Sequence, residues 1–504
     1  MAGPAPGRGQ DARGRGRGAQ GRGQGRQPGG RGPQRHGRAD PVRRAACDVL
    51  CAVAERDAYS NLLLPATLAQ RGLAGRDAAL ATELTYGTLR GIGTYDAVLT
   101  VCSDRDLATL EPAVREILRL GTHQLLATRV APHAAVATSV DLVRDVVGPR
   151  PAGFVNAVLR RVATRDLDAW LEIAAPRRAD DLAGHLAIRY SHPRWIVAAL
   201  AEALGEDPGG DLAETEAALA ADSERPGVTL CAVPGLTEAA ELTAGGAAPA
   251  RWSEFGAYLS EGDPARIPAV VQRRAGVQDE ASQLAAIALT RVDAPDDSTG
   301  DGDGDGGRWL DLCAGPGGKA RLLAGLAGRS GARLVAAELR PHRARLVQSA
   351  VGHHHGGGLP AAVVVADGTR PAWRPGAFDR VIADVPCSGL GALRRRPEAR
   401  WRRSPDSVSG LAGLQRRLLA TALDSARPGG VVAYVTCSPH VAETRDVLAD
   451  VLRTRGDVEV LDAPAVLAEV PGLACPGPDR RYAQFWPHRH GTDAIFLALL
   501  RRAG

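Results

Sequence analysis

Past residue 276 the sequence alternates short apolar runs with amphipathic stretches, and this rhythm constrains the fold more than any other feature. The runs 308–312, 333–338, 361–366, 379–384, 430–436 and 494–499 read as strands. Helices are expected between most of them, over 319–327, 341–350, 411–426 and 441–454. Such alternation builds a mostly parallel, doubly wound sheet. Ligands of such sheets sit at the carboxyl ends of the strands, so chemistry is expected just after each run.

The first run leads into Asp311-Leu312-Cys313-Ala314-Gly315-Pro316-Gly317-Gly318-Lys319. Its glycines let backbone approach a ligand closely, and the following helix offers its first amides. A P-loop is excluded, because Ala320 follows Lys319 where Ser or Thr is required. Gly315-x-Gly317-x-x-Ala320 still satisfies a dinucleotide fingerprint, so a nicotinamide oxidoreductase stays open on this motif. Glu338 closes the second run and Asp367 follows the third. A carboxylate in the first position suits ribose hydroxyls and one in the second an adenine edge, although single acids there also cap helices.

The fourth run ends in Asp384-Val385-Pro386-Cys387-Ser388-Gly389, the fifth in Val435-Thr436-Cys437-Ser438. A lone buried cysteine is usually a small apolar residue. Two of them, each just past a strand end and flanked by small polar residues, point to thiol chemistry over one cleft. A thiolate added to C6 of a cytosine makes C5 nucleophilic enough to accept a methyl group. A base must then remove the C5 proton before the thiol leaves. Asp384 is placed to stabilise the adduct. From the residues alone either thiol could attack.

Of the 62 Lys and Arg residues, Lys319 alone is lysine. Where arginine serves every general need, a lone ammonium in this loop reads as a compact charge able to neutralise carboxylates and lower a thiol pKa. Zinc is a poor fit: no CxxC pair occurs, and His353-His354-His355 lies among glycines. No metal is therefore expected.

The rest of the chain divides by texture. Residues 1–39 are Gly- and Arg-rich, with nine arginines against one acid, and are expected to be disordered. The chain's net charge is +5, so the remainder is net acidic and any RNA affinity of the body must come from local patches. Residues 40–166 read as an all-helical bundle, with apolar periodicity in 42–54, 77–99, 111–127 and 133–147. Residues 167–275 read as a small α+β linker domain with a loop at 243–250, and 276–504 as the α/β catalytic domain. The acidic, Gly-rich stretch 296–307 reads as a surface loop rather than a calcium site, because Leu312 stands where the bidentate glutamate belongs. No apolar run is long enough to span a membrane, and eight scattered cysteines read as reduced thiols in the cytosol; a monomer is expected.

Taken together, these residues resemble the RNA cytosine-5 methyltransferases of the NOL1/NOP2/Sun family. The likeness rests on Gln278-Asp279-Glu280-Ala281-Ser282, the glycine-loop run, Asp384-x-Pro386-Cys387-Ser388-Gly389 with Gly391, Thr436-Cys437-Ser438, and Gly491-Thr492-Asp493. Glu83-Leu84-x-Tyr86-Gly87-x-x-Arg90 and Asn156-Ala157-Val158-Leu159-Arg160 are similar to a NusB-like helical domain. The resemblance implies a Rossmann-like class I methyltransferase domain using S-adenosylmethionine. It implies that Cys437 attacks, Cys387 assists release, and Asp384 with Lys319 contacts the cytosine. Cys313, Ala314, Gly315, Pro316, Gly317, Gly318, Lys319, Glu338, Asp367 and Asp384 would line the cofactor pocket. The substrate would be small-subunit ribosomal RNA or an assembly intermediate. Arg394, Arg395, Arg400 and Trp401, following the Pro-Cys motif, are expected to contact RNA. A non-catalytic RNA-binding module is the remaining alternative and predicts that both cysteines are dispensable.

Overall fold

The computed structural model describes residues 39–207, 209–260, 262–293, 307–352 and 359–504. The expectations for the basic tail and for His353-His354-His355, and most of that for the acidic stretch 296–307, lie outside the described residues.

Residues 41–162 form a helical bundle. Pro41, Pro112 and Pro132 each open a helix, where a missing N–H and a preset φ are harmless. The expected single stretch 77–99 is two helices, Gly75–Arg90 and Ile92–Cys102, turning at Gly91. Their apolar faces meet around Leu50, Leu84, Leu99, Ile117, Leu118 and Leu159. A helix at Ser60–Gln70 lies outside the anticipated pattern.

Four more helices follow, Leu167–Ala174, Leu182–Arg189, Arg194–Leu204 and Ala213–Ser223. Next come strands β1 (Val228–Ala232), β2 (Ala248–Pro249), β3 (Gly256–Leu259) and β4 (Ala275–Val277), in the order β2-β3-β1-β4. The segment read as a loop at 243–250 includes β2 and the end of a helix, Ala239–Ala244. The helices from 182 to 223 share their core with Leu390, Leu393, Trp486 and Ala494 of the C-terminal region.

The large sheet contains β5 (Arg308–Asp311), β6 (Arg333–Glu338), β7 (Ala361–Val365), β8 (Phe378–Asp384), β9 (Ala426–Thr436), β10 (Val458–Leu461), β11 (Ala483–Gln484) and β12 (Phe496–Arg502). Its order is β10-β12-β9-β8-β5-β6-β7, with β11 paired to β12. Strands β5 to β9 run parallel, whereas β12 is antiparallel to β9 and to β10. The central strands are buried on both faces by Gly318–Arg329, Glu280–Arg291 and Pro405–Ser425, so they read as continuous apolar runs. Order reverses beside β5, which places a crevice over the carboxyl ends of β5, β6, β8 and β9.

Candidate active site

Four strand ends meet at this crevice. The loop after β5 is held by Leu312 N–H to Ile382 O and Ala314 N–H to Ala337 O, both 2.9 Å, so it is sewn to the strands on either side. Arg343 donates to the Gly315 carbonyl at 2.6 Å. Glu338, at the end of β6, is buried and accepts from the Arg340 amide at 2.9 Å. A Cβ at Gly315 would stand 2.1 Å from Glu338 Oε2, so loop and carboxylate meet across a gap that only glycine leaves open. Asp367 Oδ1 accepts from the Thr369 amide and hydroxyl at 2.9 and 2.8 Å, and these bonds hold its carboxyl below the usual range.

Asp311 ends β5 fully buried, and neither of its oxygens closes a hydrogen bond of ordinary geometry. Burial, then the Asp384 charge, pushes it up to about 7 against Lys319 and the Cys313 amide. Asp311 carries no motif of its own; its signal in the sequence is the last position of the strand that leads into the glycine loop.

Lys319, one residue into its helix, is buried and donates to Asp384 Oδ2 at 2.9 Å. Burial alone would lower the ammonium, but the Asp384 charge and hydrogen bond raise it. An ammonium so paired remains charged inside the protein.

The Cys387 and Cys437 sulfurs, on the loops after β8 and β9, are 3.2 Å apart and both part-exposed. They share a proton unequally. Cys437 lies below the usual thiol value through the Cys387 hydrogen bond, with Lys319 and Arg396 assisting against burial and the Asp384 charge. Cys387 lies above it through the same hydrogen bond, then burial. Cys437 is therefore the thiolate-prone member of the pair.

Beneath the thiols, buried Glu443 accepts from the Ser388 amide and hydroxyl at 2.7 and 2.5 Å, and from Gln415 Nε2 at 3.1 Å. Gln415 also donates to the Pro386 carbonyl at 2.9 Å, and the Ser388 and Ser438 hydroxyls are 3.1 Å apart. This buried network locks the two cysteine loops together. Sequence reasoning missed Gln415, which carries no local signal on a helical face.

The basic run differs from expectation. Arg394 and Arg395 both pair with Asp279 and Asp493, at 2.7–3.0 Å. Arg400 is 0 % exposed and donates to the Arg90, Ser191 and Asp222 carbonyls. Buried guanidinium must find acceptors inside the protein, as Arg394 and Arg400 do, and part-exposed Arg395 shares the same two carboxylates; all three therefore have internal partners in addition to the RNA contact expected of them. Trp401 remains 40 % exposed, and Arg396, not among the expected contacts, is exposed near the thiols. Among the described residues no cluster of His, Cys, Asp or Glu could hold a metal ion, and no helix is long and apolar enough to cross a membrane.

A Rossmann-like sheet with this crevice, fused to a helical bundle, defines a methyltransferase with an appended NusB-like domain. The family model described as 16S rRNA methyltransferase RsmB/F matches residues 303–501, and the NusB family model matches 40–164. The putative methyltransferase Rv1407 of Mycobacterium tuberculosis is 52% identical over 464 residues, covering 92% of this chain and 97% of that protein. Ribosomal RNA small subunit methyltransferase B of Pseudomonas putida is 31% identical, covering 91% and 98%. The crystal structure of PH0851 has the same fold, with a TM-score of 0.72 at 21% identity over 92% of this chain and 99% of that one. The chain belongs to the RsmB/F family of 16S rRNA methyltransferases.

Proposed function

We propose that this chain transfers a methyl group from S-adenosylmethionine to C5 of one cytosine in small-subunit ribosomal RNA, free or in an assembly intermediate, acting as a cytoplasmic monomer. The observation that carries this reading is the thiol pair, 3.2 Å apart and beside the Lys319–Asp384 ion pair.

The residues present fit the donor. The glycine loop meets Glu338 where a Cβ would collide, and Asp311 is buried at the root of the same loop without a hydrogen bond of ordinary geometry. The loop 313–319, Glu338, Asp367 and Asp384 would hold it. When bound, it supplies an electrophilic methyl group.

The chain's own residues supply the rest. Cys437 adds as thiolate to C6, breaking the C5–C6 double bond and loading C5 with electron density. Asp384, fixed by Lys319, accepts from the amino edge of the pyrimidine, and the Lys319 ammonium offsets the negative charge that develops on the ring. After methylation the C5 proton passes to water or to the Cys387 sulfur once that thiol has lost its own proton to solvent, the C5–H electron pair re-forms the C5–C6 double bond, and the Cys437–C6 bond breaks to return the Cys437 thiolate. Cys387, 3.2 Å from Cys437, assists that release. Arg396 and Trp401 are the members of the basic run that face the RNA.

Bisulfite sequencing of ribosomal RNA from cells with and without the gene tests this reading. One small-subunit 5-methylcytosine should disappear; an unchanged pattern rules the proposal out.

A further inference from the structure

Fourteen residues separate Cys387 from Glu398, Arg400 and Arg402 at most, yet those three side chains act on the other end of the chain. Glu398 is buried and accepts from the Ser60 amide at 3.1 Å and the Ser60 hydroxyl at 3.0 and 3.1 Å. Ser60 opens a helix whose own N-cap residue, Tyr59, supplies no side-chain cap. Arg402 donates to the carbonyls of Val53, Asp57 and Ala58, where the helix Pro41–Arg56 ends. Arg400 reaches the carbonyls of Arg90, the last residue of its helix, of Ser191, and of Asp222 near the end of Ala213–Ser223. An acid therefore completes a helix N-terminus and two cations complete helix C-termini, the signs that helix dipoles favour.

The near end of the same segment is bonded to the thiol loops. Gly391 N–H donates to the Cys437 carbonyl at 2.9 Å, and its own carbonyl accepts from Ala494 N–H at 2.8 Å. A Cβ there would lie 1.9 Å from the Ala494 carbonyl oxygen, so the approach requires glycine. Between the two ends, Arg394 and Arg395 are tied to Asp279 and Asp493. The segment is thus a strap from the N-terminal helices to the backbone of Cys437.

We propose that Glu398 and Arg402 are positioning residues: by capping helices of the N-terminal bundle they hold the strap taut and so set the relative placement of Cys387 and Cys437. This rests on the thiol chemistry proposed above. The capping contacts touch neither thiol, so their influence on the reaction is carried by the strap.

The test uses the full chain, with Arg402→Ala, Glu398→Ala and the conservative Arg402→Lys and Glu398→Gln. Two quantities are read: kcat and KM for ribosomal RNA, and amide hydrogen exchange across the strap and the Cys437 loop. Arg402→Ala and Glu398→Ala should each lower kcat about tenfold or more, leave KM within about twofold, and speed exchange at Gly391; Arg402→Lys and Glu398→Gln, which keeps the oxygen that accepts from Ser60, should stay within about threefold of the unaltered kcat. Unchanged exchange at Gly391 in both folded alanine variants overturns the proposal, as does a rise in KM with kcat intact, which marks a direct RNA contact. If the unaltered protein methylates no ribosomal RNA, the function reading fails while the exchange comparison still decides whether the caps control the strap.

Discussion

Cys387 and Cys437 bring their sulfurs within 3.2 Å of each other although they belong to loops after different strands. Adjacent parallel strands β8 and β9 bring the two loops to one edge of the sheet, and contacts made by the loops set the spacing of the sulfurs.

The two thiols should fail in opposite ways. Cys437→Ala should form no covalent adduct with RNA and transfer no methyl group. Cys387→Ala should attack but release poorly, so a protein–RNA species accumulates on a denaturing gel. Accumulation in Cys437→Ala instead would exchange the two roles.

Unequal proton sharing should be visible without substrate. Iodoacetamide, with sites read by mass spectrometry near neutral pH, should label Cys437 before Cys387. Lys319→Met removes the buried cation beside it and should slow Cys437 labelling by about tenfold. Equal rates at the two sulfurs would contradict the asymmetry described here.

Asp311 should make stability depend on pH. Its carboxyl, raised to about 7 by burial and then by Asp384, leaves the folded protein more protonated than the unfolded chain. That contribution is fully present below the unfolded carboxyl value of about 4 and is lost as pH rises through the folded value. Asp311→Asn should therefore exceed the unaltered protein in urea stability at about pH 8, by up to about 4 kcal/mol, and approach it toward about pH 4. A constant difference across that window would assign the effect to packing.

Glu443 should matter through what it holds. Glu443→Ala strands the Ser388 amide and one Gln415 donor in the interior, while the Ser388 hydroxyl keeps Ser438, costing about 1–3 kcal/mol per buried group left unpaired. Thermal unfolding should report the loss, and labelling of Cys387 should accelerate as its loop loosens. Unaltered stability would mean the loop is held by other contacts.

Much of this was legible in the sequence where the signal is local. The apolar runs that became β5, β6 and β8 are buried by flanking helices, so run length and position coincide with the strands, and the run that became β7 coincides too although it lies part-exposed at the sheet edge. β10 escaped notice because Val458–Leu461 is a short edge strand with Glu459 exposed. The helix Ser60–Gln70 contains Pro65 and takes its capping acceptor from Glu398, so neither propensity nor a local cap announces it. The basic run misled for the same reason. Local composition cannot distinguish arginines facing solvent from arginines whose partners, Asp279 and Asp493, lie about a hundred residues away in either direction.

The cap that Glu398 places on Ser60 spans 338 positions of chain. A ribosome adding about 5–20 residues per second delivers the acid tens of seconds after the serine it serves. During synthesis the earliest helices must wait, incompletely capped, for a segment made near the end, so maturation of the amino-terminal bundle is timed by the arrival of the domain that carries out the chemistry.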